Sequence, residues 1–407
     1  MYDSQPVFRA AFDQCDELLR ELRDGDSLVD VVFRRESDLH ETTWTQPALF
    51  ALQISLAQLL EACGVRPDVV LGHSVGQFAA ASVAGMVDWA DALRLLEVRS
   101  RLTGLLPAGG GMAAVFAKAD VVSDQLAQHP DLSVAAYNGA HTVISGDVGA
   151  LERATHSFEQ TGIRCKRLKT SHAFHSALLD PILDDFEETA RSLRFQPGSI
   201  PLICNVTGKL ATPQESFDAG YWRRHLRESV QFANSVASLS KFGCDIALEI
   251  GPHPVLNGMA AACWPERPPK FVSTLSQQSD DDLEFHRCLA HLYVAGLTPD
   301  FSGLHQDWSP HQVELPTYPF QRTTYWGPGI PQADRATRDT QHPLLGEKRP
   351  LAGIQHETRY ETQVTPDRPA WLKDHRVFED VVFPGAAYAE MAVAAVGGTG
   401  SLSNVLF

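Results

Sequence analysis

Ser74 stands in Gly72-His73-Ser74-Val75-Gly76, a G-x-S-x-G string preceded by Val69-Val70-Leu71 and followed by the small residues from Phe78 to Ala84. A short apolar strand, a glycine-flanked turn and a tightly packed helix would lift the Ser74 hydroxyl to the tip of a sharp junction. The Val75 N–H, at the start of that helix, could donate to an oxyanion formed when the serine attacks a carbonyl. The same string also fits a glycine-rich turn with an ordinary serine. A serine nucleophile needs a base to take its proton, and that base needs an orienting group. His175, in Ser171-His172-Ala173-Phe174-His175-Ser176, is a candidate. His172 and His175 are also spaced as a metal pair, but no third ligand lies close by in sequence, so no metal is expected. Taken alone they read as surface histidines. Arg99 offers a planar guanidinium able to grip a carboxylate through two parallel hydrogen bonds; taken alone it reads as a solvated charge on a helix.

These residues must be held by elements that the apolar spacing outlines. Residues 6–23 repeat apolar positions at helical period, with Val7, Phe8, Ala11, Phe12, Cys15, Leu18 and Leu19 on one side. A second helix is expected over 46–63, with Thr45 as its cap, and a third over 88–106 carrying Arg99. Between 111 and 170 the order reads strand, helix, strand, strand, helix, strand, with an Asn138-Gly139 turn between the middle strands. That is the ferredoxin-like βαββαβ pattern, here set into a larger α/β body. The body resumes with a helix over 176–194, a strand over 201–205, a helix over 231–242, a strand over 245–250 and a last helix over 280–295. His175 thus falls in the cleft where the small subdomain returns to the body, a favoured place for a site.

The 407 residues suffice for two or three domains, and 44% hydrophobic with 21% charged residues is ordinary for a globular chain. A net charge of −16 argues against nucleic acid or an anionic membrane as partner. Seven cysteines with no C-x-x-C pair fit a reducing cytoplasm, and no membrane span or signal peptide is expected.

Residues 1–295 resemble the acyltransferase domain of modular type I polyketide synthases, related to the malonyl-CoA:acyl carrier protein transacylases of fatty-acid synthesis. The resemblance rests on Gly72–Gly76 with its alanine-rich helix, Arg99, Asn138-Gly139, Ser145-Gly146-Asp147 and His172–His175. It extends through Asn205-Val-Thr-Gly208, Val230-Gln231-Phe232 and Glu249–Leu256. It implies an α/β-hydrolase-like parallel-sheet body (1–110 and 176–295) with the ferredoxin-like subdomain at 111–175. It also implies Ser74 as the acyl-carrying nucleophile, His175 as its base, Arg99 on the malonyl carboxylate, and a backbone carbonyl near Gln231 orienting the histidine. Val75, Phe174, His172, Gln231 and Asn205 would line the substrate. His-Ala-Phe-His at 172–175 is similar to malonyl-selective members; the Phe174 ring would occupy the space of an α-methyl group, a discrimination of ~1–3 kcal/mol. Malonyl-CoA is the implied substrate. The acceptor is the phosphopantetheine thiol of an acyl carrier protein, with no cofactor bound to the chain itself.

Leu315–Trp326, rich in large rings, resembles the post-acyltransferase linker (296–341) that docks on a ketosynthase through residues such as Tyr318, Phe320, Tyr325 and Trp326. Residues 342–407 resemble the first hot-dog of a polyketide dehydratase, on His342-Pro-Leu-Leu-Gly346 and Trp371-Leu-Lys-Asp-His375. His375 would be its proton-abstracting base. Glu379 occupies the glycine position of the H-x-x-x-G-x-x-x-x-P pattern, and the partner aspartate would come from the remaining dehydratase half. The acyltransferase family opens with a strand and a Gly-Gln-Gly-type turn that supplies a second oxyanion donor; the sequence is expected to start after that turn, as a fragment of a longer synthase. A Ser–His thioester hydrolase and a non-catalytic docking fragment are the rival expectations.

Overall fold

The computed structural model describes residues 1–211, 217–305, 313–323, 342–349, 358–397 and 401–404. The chain divides into two units, Met1–Gln312 and Val313–Phe407.

The first unit opens on helix α1 (Pro6–Leu22), whose Phe8, Phe12, Cys15 and Leu19 are buried as their spacing requires. Helix α2 (Leu28–Arg34) follows, its first turn capped by the Ser27 side chain accepting from the Asp30 N–H. Helix α3 (Thr42–Ala62) begins a turn earlier than the expected Thr45 cap. The Thr45 hydroxyl donates instead to the Glu41 carbonyl at 2.9 Å, so its oxygen serves inside the first turn. Strand β1 (Val70–Leu71) leads into helix α4 (Gly76–Val83), and helix α5 (Trp89–Gly104) starts at Asp88, whose carboxylate accepts from the Ala90 N–H.

The inserted subdomain holds β2 (Gly110–Val115), α6 (Ala119–Leu126), β3 (Leu132–Tyr137), β4 (Thr142–Asp147), α7 (Val148–Gln160) and β5 (Cys165–Arg167). Its four strands lie in the order β3-β4-β2-β5, all antiparallel, which is the ferredoxin-like arrangement. A separate core of Val122, Ile144, Leu151 and Phe158 fills the space under its helices.

The return to the body is not one helix over 176–194. Residues Ala177–Ile182 form a tight 3-10 turn and helix α8 spans Leu183–Arg191. Pro181 lacks the N–H that a regular helix would need there. Strand β6 (Leu202–Ile203), helices α9 (Ala219–Arg227) and α10 (Phe232–Phe242), strand β7 (Ile246–Glu249), helix α11 (Leu256–Cys263), strand β8 (Lys270–Ser273) and helix α12 (Asp281–Val294) complete the unit. It continues past residue 295, because the Asp300 N–H donates to the Cys63 carbonyl at 2.8 Å and Leu304 is buried.

The body's strands are parallel, as expected, but they form two pairs rather than one continuous sheet: β1 with β6, and β7 with β8. A cavity of about 1210 Å³ borders both pairs, with Leu71 of β1, Leu248 of β7, Ile54 of α3 and Val236 of α10 among its walls.

In the second unit residues 313–323 form no helix or strand, and Val313, Leu315, Tyr318 and Phe320 are strongly exposed. Tyr325 and Trp326 lie outside the described residues. Two antiparallel pairs follow, β9 (Glu347–Arg349) with β10 (Arg359–Glu361) and β11 (Arg376–Val377) with β12 (Asp380–Val381), and then helix α13 (Gly385–Ala395).

Candidate active site

The Ser74 turn is tight for a stated steric reason. A Cβ on Gly72 would lie 2.3 Å from the Gln77 nitrogen, so only glycine lets the first turn of α4 come this close. Gly76 is different: a Cβ there would meet nothing nearer than the Gln53 side chain at 3.8 Å. Ser74 itself takes a left-handed backbone, φ 50°, at a cost on the order of 1–3 kcal/mol that the surroundings must offset. They do so with named bonds. The Ser74 N–H donates to Asn205 Oδ1 at 3.2 Å, and the Ser74 carbonyl accepts from the Gln77 N–H at 2.9 Å.

The distortion turns the Ser74 hydroxyl towards His175. Ser74 Oγ donates to His175 Nε2 at 2.8 Å, and His175 Nδ1–H donates to the Glu228 carbonyl at 2.8 Å. The second bond fixes the tautomer that leaves Nε2 free to accept a proton. His175 is also left-handed, φ 55°, and only 3% exposed. Burial, then the nearby Arg99 and His73, push its pKa down to about 3, while the Glu228 carbonyl works weakly the other way. The imidazole is therefore neutral at ordinary pH, the form a general base needs.

The orienting carbonyl expected near Gln231 is that of Glu228. Helix α9 ends at Glu228 in extended backbone, which turns that carbonyl out of the helical ladder. Gln231 opens α10, and its carbonyl is taken by the N–H and the hydroxyl of Ser235. Asn205, expected to line substrate, holds the nucleophile's backbone through its Oδ1 and is 1% exposed.

Arg99 is 1% exposed on α5. Its Nη1 donates to Gln46 Oε1, and its guanidinium lies 5.5 Å from the Phe174 ring. No carboxylate pairs with it among the described residues, and its Nε has no partner there. Burial alone lowers its pKa to about 10, so it stays charged at neutral pH. A buried cation without a counter-ion costs several kcal/mol, and an anion supplied from outside relieves that cost. Val75 caps α4 from the position before Gly76, and its N–H makes no hydrogen bond among the described residues. His172 is half-buried, its Nδ1 bonded to the Ser171 hydroxyl at 2.8 Å. Sequence reasoning missed one chain of contacts: His73 Nε2 donates to Asn138 Oδ1 at 3.2 Å, and Asn138 Nδ2 donates to His141 at 3.0 Å. The signal was His73's place inside the serine motif.

Residues 1–298 match the model of the acyl transferase domain, and residues 342–407 match that of the polyketide synthase dehydratase domain. The chain belongs to the acyl transferase domain family. Polyketide synthase GfsA of Streptomyces halstedii is 36% identical over 411 residues, covering 96% of this chain and 5% of that protein. The chain therefore spans a small part of such relatives. Among solved structures, the acyltransferase domain from the second module of the salinomycin polyketide synthase superposes with a TM-score of 0.72 at 38% identity. The match covers 78% of this chain and 75% of that one. The MCAT of Streptococcus pneumoniae aligns with a TM-score of 0.62 at 27% identity, over 68% of this chain and 90% of its own. This acyltransferase fold is mixed helix and sheet. Among the described residues no helix is long and apolar enough to cross a membrane.

His375, in the dehydratase-like stretch, is exposed. Its Nδ1 donates to the Val382 carbonyl at 2.7 Å across the β11–β12 turn.

Proposed function

We propose that this acyltransferase moves a malonyl unit from malonyl-CoA to the phosphopantetheine thiol of an acyl carrier protein, as part of a cytoplasmic polyketide megasynthase. The observation that carries the reading is a Ser74–His175 contact of 2.8 Å beside a buried arginine that has no carboxylate partner among the described residues. Arg99 holds the malonyl carboxylate, an anion that its buried charge favours. His175 Nε2 takes the Ser74 proton as Oγ attacks the thioester carbonyl, and the Val75 N–H receives the oxyanion. The C–S bond breaks, and coenzyme A leaves as a thiol with the proton from His175. The carrier thiol then gives its proton to His175 and attacks the Ser74 ester, restoring the free serine. No acidic third member is required, since the Glu228 carbonyl orients the base. The Phe174 ring beside Arg99 disfavours an α-methyl substituent by ~1–3 kcal/mol. His375 is read as the dehydratase histidine, and exposed Leu315, Tyr318 and Phe320 as a ketosynthase-docking strip.

Incubation with malonyl-CoA and intact-mass measurement tests the reading. A single malonyl adduct, absent in Ser74→Ala and discharged by a carrier protein, is expected. Rapid free malonate without a carrier, or no adduct at all, overturns it.

A further inference from the structure

Strand β3, at the edge of the subdomain sheet, is bonded to both halves of the Ser74–His175 pair. Its Val134 faces Ile144 of β4 and its Ala136 faces Val143, so Ala135 between them is an extra residue, a bulge. A bulge re-aims the main chain of the strand that carries it. Here it serves the body: the Val230 N–H donates to the Ala135 carbonyl at 2.8 Å, and the Tyr137 N–H donates to the Val230 carbonyl at 2.9 Å. Val230 lies two residues after Glu228, whose carbonyl braces His175. The next residue ties the same segment to the nucleophile. The Gln231 N–H donates to the Asn205 carbonyl at 2.9 Å, and Asn205 Oδ1 accepts from the Ser74 N–H.

Just past the end of β3 the nucleophile's own neighbour is held. Asn138 is 3% exposed. Its Oδ1 accepts at 3.2 Å from His73, the residue before Ser74, and its Nδ2 donates to His141 at 3.0 Å. Its main-chain N–H donates to the His141 carbonyl at 3.1 Å. A carboxamide offers an acceptor and a donor at one position, which a hydrocarbon of the same size does not. The turn is seated tightly as well: Gly139 has φ 82°, and a Cβ on it would lie 2.4 Å from the Cys263 Cβ of α11. On the body side the His73 ring packs edge-on against Phe232 at 5.4 Å. Residues 135–138 therefore bond to the base's brace and to the residue beside the nucleophile. We propose that Asn138 is a positioning residue for the pair: by holding His73 to the strand end that holds Val230, it fixes the separation of Ser74 Oγ and His175 Nε2.

The inference rests on Ser74 and His175 acting as nucleophile and base, and its first test uses a neutral fluorophosphonate that labels an activated serine. In Asn138→Leu, which fills the same space without polar atoms, the labelling rate is expected to fall at least about tenfold. A misplacement of ~1 Å can cost 10²-fold. Asn138→Asp keeps an oxygen for the His73 N–H and should restore most of the rate. In single turnovers with malonyl-CoA, Asn138→Leu should lower the acylation rate at saturation and leave the half-saturating concentration unchanged. Labelling of Asn138→Leu at the native rate overturns the inference while the acyl-enzyme reading stands. So does a change confined to the half-saturating concentration, which would make Asn138 a substrate contact. Equal slowing of both variants with equally lowered melting temperatures overturns it too, since packing alone would then account for the loss. A native chain that the fluorophosphonate does not label overturns the inference and the acyl-enzyme reading together.

Discussion

His175 and His375 each donate through Nδ1 to a main-chain carbonyl, and the similarity ends there. His175 is enclosed, its Nε2 is on Ser74 Oγ, and a buried guanidinium stands near it. His375 has the same backbone brace, to Val382, but lies exposed on a short turn between two-residue strands. A carbonyl brace sets a tautomer; only enclosure, a nucleophile and a fixed charge turn that tautomer into a base with a task. The first unit supplies them from α4, α5, the residues before the 3-10 turn and the end of α9, four pieces distant in sequence.

The largest effect that could break this contrast is His175→Ala. Acylation of Ser74 by malonyl-CoA is expected to fall by roughly 10²–10⁴ in single-turnover rate, and a fall of less than tenfold would remove His175 from the chemistry. Arg99→Ala comes next. The expected loss for malonyl-CoA is on the order of 10²-fold, with acetyl-CoA little affected, because the charge that meets a carboxylate is removed. Equal losses for the two thioesters, read in competition by mass spectrometry, would show that Arg99 only supports the fold.

Acid should affect the first unit through its buried histidines. His175 binds a proton in the unfolded chain near its ordinary pKa of 6.5 but in the folded chain only near 3. Protonation therefore favours unfolding within that window, and stability present above pH 6.5 is lost progressively as pH falls towards 3. Melting temperature followed from pH 7 to 4 should drop, and His175→Phe should flatten part of the slope. A flat native profile contradicts the burial. The smallest effect belongs to the other histidine: His375→Ala should leave the Ser74 acylation rate unchanged within error. Any marked change would mean that the two units act together.

Ser74 was legible because it stands in a recognisable string, whereas His175 and Arg99, which taken alone read as a surface histidine and a solvated charge, took their roles from the family resemblance. The orienting carbonyl was placed only as near Gln231 because a backbone oxygen has no signature; where α9 stops decides that Glu228 supplies it. Helix α2 went unread because Leu28-Val-Asp-Val-Val-Phe looks like a strand until the Ser27 cap is weighed. Arg99's burial was hidden because an isolated arginine on a helix resembles a solvated one, and only its Gln46 partner on α3 distinguishes them. The split of the parallel strands into two pairs could not be read either, since strand runs report which residues pair and not what lies between the pairs.

Strand β1 is two residues long and is paired on one side, with β6, while the cavity borders it. The reactive serine is thus suspended from a support with a single pairing among the described residues, and its strained turn is held by the Asn205 side chain that arrives from β6's flank. Such a mounting loosens before the helical core around Phe50 and Leu56 does. Heat should therefore silence this enzyme while most of its helices are still intact, so that inactivation and unfolding separate along the temperature axis.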